Sequence, residues 1–329
     1  MKKIQINFLP YNINRFKYSV WCLNELTKIK DSNKEKILLK IYTSYSHEDY
    51  NYVVDFLLKN NINCELINMH GYMPKIYNAI NTNEFYSCKW DEDIFLNYES
   101  WNYILENLDY LDENEDILFF SPILTNGIPS VDLFVHEAFN SDYKNKYINL
   151  IKNTNMVGNE LANSWGVNYS NLNSETINAE KFNSEKYYKQ VSKINHYYKG
   201  IHPVRISIDL HNLIFDFIQN NKELILESND YIFFKINRPY FCNSFFFIKS
   251  NNWKDSLSKA ELFKDEFDEV PLNLFREQKN IPNMAFISKS YAMHMAYNTI
   301  HWKNQEVIEQ KYFEAFRENI EETIEKIKK

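Results

Sequence analysis

An α/β fold with a mostly parallel central sheet flanked by helices is what this sequence predicts, and three observations predict it. Through the first half of the 329-residue chain, short apolar runs alternate with segments of helical period. Residues 137 to 200 then turn polar and asparagine-rich, which marks a middle insertion, and after residue 303 one long amphipathic segment closes the chain. Strand, helix, strand in this rhythm implies parallel strands joined by crossover helices, because a parallel pair cannot be closed by a tight turn.

The elements follow in order. KIQINFLP reads as a buried strand, after which Phe16, Val20, Leu23 and Leu26 recur at helical spacing between residues 15 and 29. KILLKIYTS is a second strand. A helix starts near Ser46, with Glu48 and Asp49 in its first turn, where acids complement the helix dipole, and Tyr50, Val53, Val54 and Leu57 along one face. NCELINM is a third strand, and a short helix over residues 74 to 80 leads into a fourth within EFYSCKWDEDIFL. Trp101, Ile104, Leu105, Leu108 and Leu111 mark another helix before the fifth strand, EDILFFSPIL. The polar segment carries a helix in AEKFNSEKYYKQVSKI, and PVRISIDL, YIFFKI and CNSFFFIKS are strand-like runs that extend the sheet or build a second one. The last helix places Phe313, Phe316, Ile320, Ile324 and Ile327 on one side. These features divide the chain at 1–136, 137–200, 201–303 and 304–329, the second segment being an insertion or lid-like piece.

Composition excludes several classes of function. A net charge of -7 argues against a protein that coats nucleic acid, since that affinity comes from lysine and arginine neutralising phosphates. No window approaches twenty apolar residues and the start lacks a signal-like apolar core, so a soluble, cytoplasmic protein without a membrane span is expected. Cys22, Cys64, Cys88 and Cys242 are scattered with no CxxC pair, the pattern of reduced thiols. With only 5 glycines there is no GxGxxG and no GxxxxGK[ST], so any bound diphosphate must be neutralised without a glycine-rich loop.

One stretch stands out chemically. In EFYSCKWDEDIFL three consecutive acids, Asp91, Glu92 and Asp93, interrupt an apolar run where unpaired carboxylates are expensive to desolvate. Positive charge should lie near them. They fall at the end of a strand, where open α/β sheets bind their ligands, and carboxylates gathered there suit a divalent cation. Strand alternation would send Glu92 to the face opposite Asp91 and Asp93.

On these residues the sequence resembles the GT-A fold glycosyltransferases, and among them the family 2-like members. The acids resemble that fold's DxD motif. FLPYNINRFKYSVWCLNEL looks like the family's first strand and helix with a Tyr-Asn-Arg loop, and KIYNAINTNEFYSCKWDEDIFL is similar to the segment in which an asparagine, here Asn78, stands upstream of the motif. KDEFDEVPLNLFREQKNIPNMAFISKSYAMHMAY resembles the later part of the site, where an acidic pair is followed by a strand and a histidine. The resemblance covers residues 3 to 120 and 260 to 300. It implies a GT-A (Rossmann-like) fold with a nucleotide-sugar-binding first half and an acceptor-side half after the insertion. It also implies a metal-dependent, hexosyltransferase-like enzyme moving a sugar from a nucleotide-diphosphate donor, a UDP-sugar above all, to a glycan or other hydroxyl-bearing acceptor. Nucleic acid would enter only as a modified acceptor.

Carried over residue by residue, Tyr11, Asn12, Arg15 and Asn78 would bind the nucleotide, and Asp91 would face its ribose and sugar. Asp91, Asp93 and His294 would hold Mn²⁺ or Mg²⁺, the imidazole favouring Mn²⁺ over Ca²⁺. Asp265 and Glu266 match the acidic pair that would take the acceptor proton. The family's Asp-Gly-Ser-like turn, which reads the base, is replaced here by YTSYSHED.

Other readings of the same residues stay open on the sequence. The three acids could form a turn capping the helix from Tyr98, His294 could be a core histidine with His301 as the ligand, and Asp265 and Glu266 could be a solvated helix end. Tyr11 and Arg15 could be ordinary loop packing. His202 and His211 show no HExxH or related spacing and read as structural. Nucleotidyl or phosphoryl transfer, and carbohydrate binding without turnover, are the alternative functions.

Overall fold

The computed structural model describes residues 2–11, 15–44, 48–125, 130–153, 208–227, 231–237, 244–258, 272, 275, 278–281, 283–295 and 302–329. Among them a nine-stranded sheet runs β3-β2-β1-β4-β8-β6-β9-β5, with β7 pairing β9 off this path. The strands are β1 (Ile4–Leu9), β2 (Ile37–Thr43), β3 (Cys64–Asn68), β4 (Tyr86–Asp91), β5 (Ile94–Phe95), β6 (Ile117–Leu124), β7 (Ile232–Asn237), β8 (Phe245–Lys249) and β9 (Asn283–His294). Strands β1, β2, β3 and β4 are mutually parallel, as are β6 and β9, whereas β8 runs against both β4 and β6. With β7 and β5 antiparallel to β9, most strands share one direction and the fold is α/β.

Helices α1 (Phe16–Thr27), α2 (Asp31–Lys34), α3 (Glu48–Lys59), α4 (Tyr72–Ala79), α5 (Tyr98–Glu106) and α6 (Tyr110–Glu113) connect the first strands. Then come α7 (Ser130–Ala138), α8 (Ser141–Asn153), α9 (Ile208–Asn220), α10 (Lys222–Leu226), α11 (Ser250–Leu257) and α12 (Trp302–Lys328). All six residues of β1 and all eight of β6 are buried, as expected of strands covered on both faces; β6 is apolar but for Ser121, whereas β1 carries Gln5 and Asn7 between its apolar residues. Aromatic rings fill the space between sheet and helices: Trp90 lies 4.8 Å from both Phe8 and Trp101, and Phe120 stacks on Phe247 at 5.1 Å. The closing helix α12 covers α1 through Phe316, 4.6 Å from Trp21, which itself stacks on Phe95 at 3.8 Å.

Several expectations change. The helix expected over Trp101 to Leu111 is two helices, α5 and α6, because α5 ends at Asn107. The strand-like PVRISIDL does not continue as a strand: Ile208, Asp209 and Leu210 open α9, where Leu210, Ile214, Phe217 and Ile218 are buried at helical spacing. The start of the polar insertion contains α8, whose Tyr143 ring packs 5.0 Å from Phe217 of α9. EDILFFSPIL is the sixth strand rather than the fifth, because β5 intervenes as a two-residue strand too short for any periodicity to register. Cys22, Cys64 and Cys88 are free and buried, while Cys242 lies outside the described residues. No helix among the described residues is long and apolar enough to cross a membrane.

Candidate active site

The chain runs outward from β1 to β2 and β3, then returns across β1 to form β4 on its other side. At such a reversal open α/β sheets bind ligands beyond the carboxyl ends of the strands, here those of β1 and β4. Leu9 of β1 pairs with Asp91 of β4, so Tyr11 and the three acids leave the sheet side by side. A buried polar ladder fixes the strands beneath. Gln5 donates to Asn7 Oδ1 at 2.7 Å and to the Ala79 carbonyl at 2.8 Å, and Asn7 donates to the Cys88 carbonyl at 3.1 Å. The Tyr42 hydroxyl donates to Asn78 Oδ1 at 3.0 Å, which ties α4 to β2.

Each acid has its own partners. Asp91 Oδ1 accepts from the Tyr11 hydroxyl at 3.0 Å and lies 3.0 Å from Nζ of the buried Lys89. Burial pushes the Asp91 carboxyl up to about 6, against the opposing pull of Lys89 and with help from the charge of Asp93. Glu92 is fully buried. It accepts the Tyr11 backbone N–H at 2.8 Å, and its Oε1 stands 3.6 Å from Arg15 Nη1. Since β4 ends at Asp91, strand alternation does not extend to Glu92, and the expectation that it faces away is overturned: it is clamped into the corner after β1.

Asp93 sits between Arg15 and His294, with Arg15 Nη1 2.9 Å from Oδ2 and His294 Nε2 3.6 Å from Oδ1. Burial opposes its ionisation, but the attraction of His294 and Arg15 outweighs that and holds the carboxyl below the usual aspartate value. His294 arrives because β5 pairs antiparallel with the end of β9, Ile94 opposite His294, and because Met295 donates its backbone N–H to the Asp93 carbonyl at 2.7 Å. A bulge in β9 precedes it, between the pairs Pro122–Ile287 and Ile123–Tyr291, with Lys289 at φ 56°. Bulges of this kind re-aim the strand end next to a site.

The helix-cap reading of the acids does not hold. Asn97 caps α5, its side chain accepting the Ser100 N–H at 3.2 Å, and Glu25 accepts the Tyr98 N–H at 2.9 Å. The positive charge expected near the acids is there as Arg15, Lys89 and a third group that sequence reasoning missed, Lys75. Lys75 is buried on α4, donates to the Pro10 carbonyl at 2.8 Å and lies 5.4 Å from the Tyr11 ring centroid. Burial lowers its ammonium to about 8, although Glu92 and Asp91 pull the other way. Its signal was a lysine on the apolar face of a short helix, as Lys89 was a lysine inside an apolar strand.

Tyr11, Arg15, Asp91, Asp93 and His294 therefore converge, while Asn78 stands at the neighbouring strand end with Tyr42. Asn12, Asp265, Glu266 and His301 lie outside the described residues. Among the described residues no group of three or more His, Cys, Asp or Glu is gathered closely enough to hold a metal alone. A carboxylate oxygen and an imidazole nitrogen 3.6 Å apart can nevertheless both reach one ion at ligand distances of about 2.0 to 2.2 Å. Two protein ligands fit an ion whose other positions come from substrate phosphate and water.

No family model matches the chain, and no curated protein matches it by sequence. The solved structures it is similar to include S. aureus TarS 1-349, at 13% identity with a TM-score of 0.41, over 96% of this chain and 63% of that one. The same protein in complex with UDP-GlcNAc aligns at 21% identity and a TM-score of 0.30, over 38% and 35% of the two chains. The mannosyltransferase PcManGT from Pyrobaculum calidifontis, in complex with GDP-Man and Mn²⁺, aligns at 11% identity and a TM-score of 0.30, over 37% and 35%. The chain thus spans less than two thirds of the length of each.

Proposed function

We propose that this chain is a metal-dependent glycosyltransferase that moves a sugar from a nucleotide-diphosphate donor to an acceptor hydroxyl. The observation that carries the reading is the meeting of Asp93 and His294 beside Arg15 and Tyr11, at the point where the strand order reverses. Open α/β sheets place a nucleotide there, and a site without a glycine-rich loop needs charge of another kind to hold a diphosphate.

Asp93 and His294 would hold Mn²⁺ or Mg²⁺. The ion, when bound, supplies Lewis-acid stabilisation to the charge that develops on the leaving diphosphate. The other roles belong to the chain. Arg15 donates to phosphate oxygens, a task its planar fork suits. Tyr11, held by Glu92 through its N–H and by Asp91 through its hydroxyl, gives the base or ribose an oriented aromatic face. Asp91 faces the ribose and sugar, and Asn12 and Asn78 complete the nucleotide pocket. Asp265 or Glu266 takes the acceptor proton, as the resemblance implies, and segment 201–303 supplies that acceptor side. UDP is the favoured nucleotide.

The experiment is a thermal-shift screen of nucleoside diphosphates with and without Mn²⁺, followed by donor turnover. A general base is not needed to bind donor or metal. Asp265→Asn or Glu266→Gln is therefore expected to abolish transfer while leaving the Mn²⁺-dependent nucleotide shift in place.

A further inference from the structure

The two carboxylate oxygens of Asp93 are divided between different groups: Oδ2 faces Arg15 at 2.9 Å and Oδ1 faces His294 at 3.6 Å. The guanidinium also stands 3.6 Å from Glu92 Oε1, and both acids are almost wholly withdrawn from water. Asp91 has its own cation in Lys89, 3.0 Å away. The acids are thus charge-compensated within the protein, as buried carboxylates must be. A divalent ion entering alone at the Oδ1 and His294 edge would meet a guanidinium already seated on the same carboxylate. Its two positive charges would be added to a site that is already balanced.

A nucleoside diphosphate changes this balance. Arg15 immediately precedes α1, a twelve-residue helix with no acid in its first turn. A diphosphate near that turn meets the positive end of the helix dipole and a guanidinium suited to phosphate oxygens. Once Arg15 turns to the phosphates, the Asp93 carboxylate beside His294 loses its nearest compensating charge.

We propose that Arg15 is a counter-ion switch. It neutralises Asp93 in the ligand-free protein and passes to the diphosphate of the donor, so that metal and nucleotide each bind more tightly when the other is present. The proposal rests on the donor-site reading above and adds to it a direction that reading does not require: removing a positive side chain from the site improves metal binding.

The test is a Mn²⁺ titration followed by the loss of the free-ion EPR signal, with and without UDP or GDP, on wild type, Arg15→Gln and Arg15→Lys. In wild type, nucleotide is expected to tighten Mn²⁺ binding by about tenfold or more, and by reciprocity Mn²⁺ tightens nucleotide by the same factor. Arg15→Gln is expected to bind Mn²⁺ alone about tenfold more tightly than wild type, nucleotide alone more weakly, and to show a reduced mutual effect. Arg15→Lys, whose single ammonium cannot span Glu92 and Asp93 as the fork does, is expected to shift the same way by less, and it carries the test if the glutamine variant does not fold. Mn²⁺ that binds wild type in the presence of nucleotide, but binds neither variant more tightly on its own, overturns the switch and leaves the donor site standing. Mn²⁺ that binds no form, with either nucleotide present, overturns the donor site and the switch together.

Discussion

Asp93 and His294 meet at 3.6 Å where Ile94 pairs with His294 across β5 and β9. The shortest strand in the sheet thus joins the end of β4 to the end of β9. If this pair holds the ion, His294→Ala raises the Mn²⁺ concentration for half-maximal activity, and excess metal recovers part of the rate. Asp93→Asn, which also removes the nearer of the two carboxylates beside Arg15, is expected to lose metal-dependent turnover beyond rescue. Metal titrations of both variants check this, with circular dichroism confirming the fold.

Glu92 is expected to be structural. It is fully buried and receives the Tyr11 N–H, so Glu92→Ala leaves a buried donor and a guanidinium short of partners. A loss of about 2 to 4 kcal/mol in urea unfolding is predicted. A change below about 0.5 kcal/mol would mean that water replaces the carboxylate at no cost.

Lys75 makes a prediction about alkaline pH. Its folded value, about 8, lies below its ordinary value of 10.5, so between these limits the unfolded chain holds the extra proton. Stability contributed by this group therefore rises as pH climbs from 8 towards 10.5, with a slope of at most about 1.4 kcal/mol per pH unit. Lys75→Met should flatten that rise. Identical pH profiles for the two proteins between pH 8 and 10 would contradict the burial of a charged Lys75.

Asn97→Ala removes the cap of α5 and the Asn97 donation to the Leu226 carbonyl, and is expected to cost about 1 to 2 kcal/mol with metal binding unchanged. Weakened metal binding in this variant would couple α5 to the acids. Chemical unfolding and a Mn²⁺ titration on the same protein separate the outcomes.

How much of this the sequence displays depends on whether a residue's neighbours are local. The first strands are legible because each is a short segment rich in apolar residues set between helical periods, and the position of the acids follows from the strand order. The antiparallel insertion of β8 between β4 and β6 is not legible, since pairing across so long an excursion leaves no local trace. The place of Glu92 is not legible from alternation, because the strand ends one residue before it. Lys75 and Lys89 escaped because a buried lysine is recognised only once its partners, the Pro10 carbonyl and Asp91, are known to be near. The end of PVRISIDL is ambiguous for a similar reason: Ile208 and Leu210 fit a period of two, and only Ile214, Phe217 and Ile218 further on establish a period near 3.6.

In the proposed reaction a nucleotide sugar is cleaved between sugar and diphosphate at the Asp93–His294 edge. Its most direct test is product analysis after incubating the purified chain with UDP- and GDP-sugars and Mn²⁺, alongside Asp93→Asn. Slow release of free sugar and nucleoside diphosphate, dependent on Mn²⁺, is expected, with a loss of at least about a hundredfold in a folded Asp93→Asn protein. Release of nucleoside monophosphate, or equal release by Asp93→Asn, would contradict it.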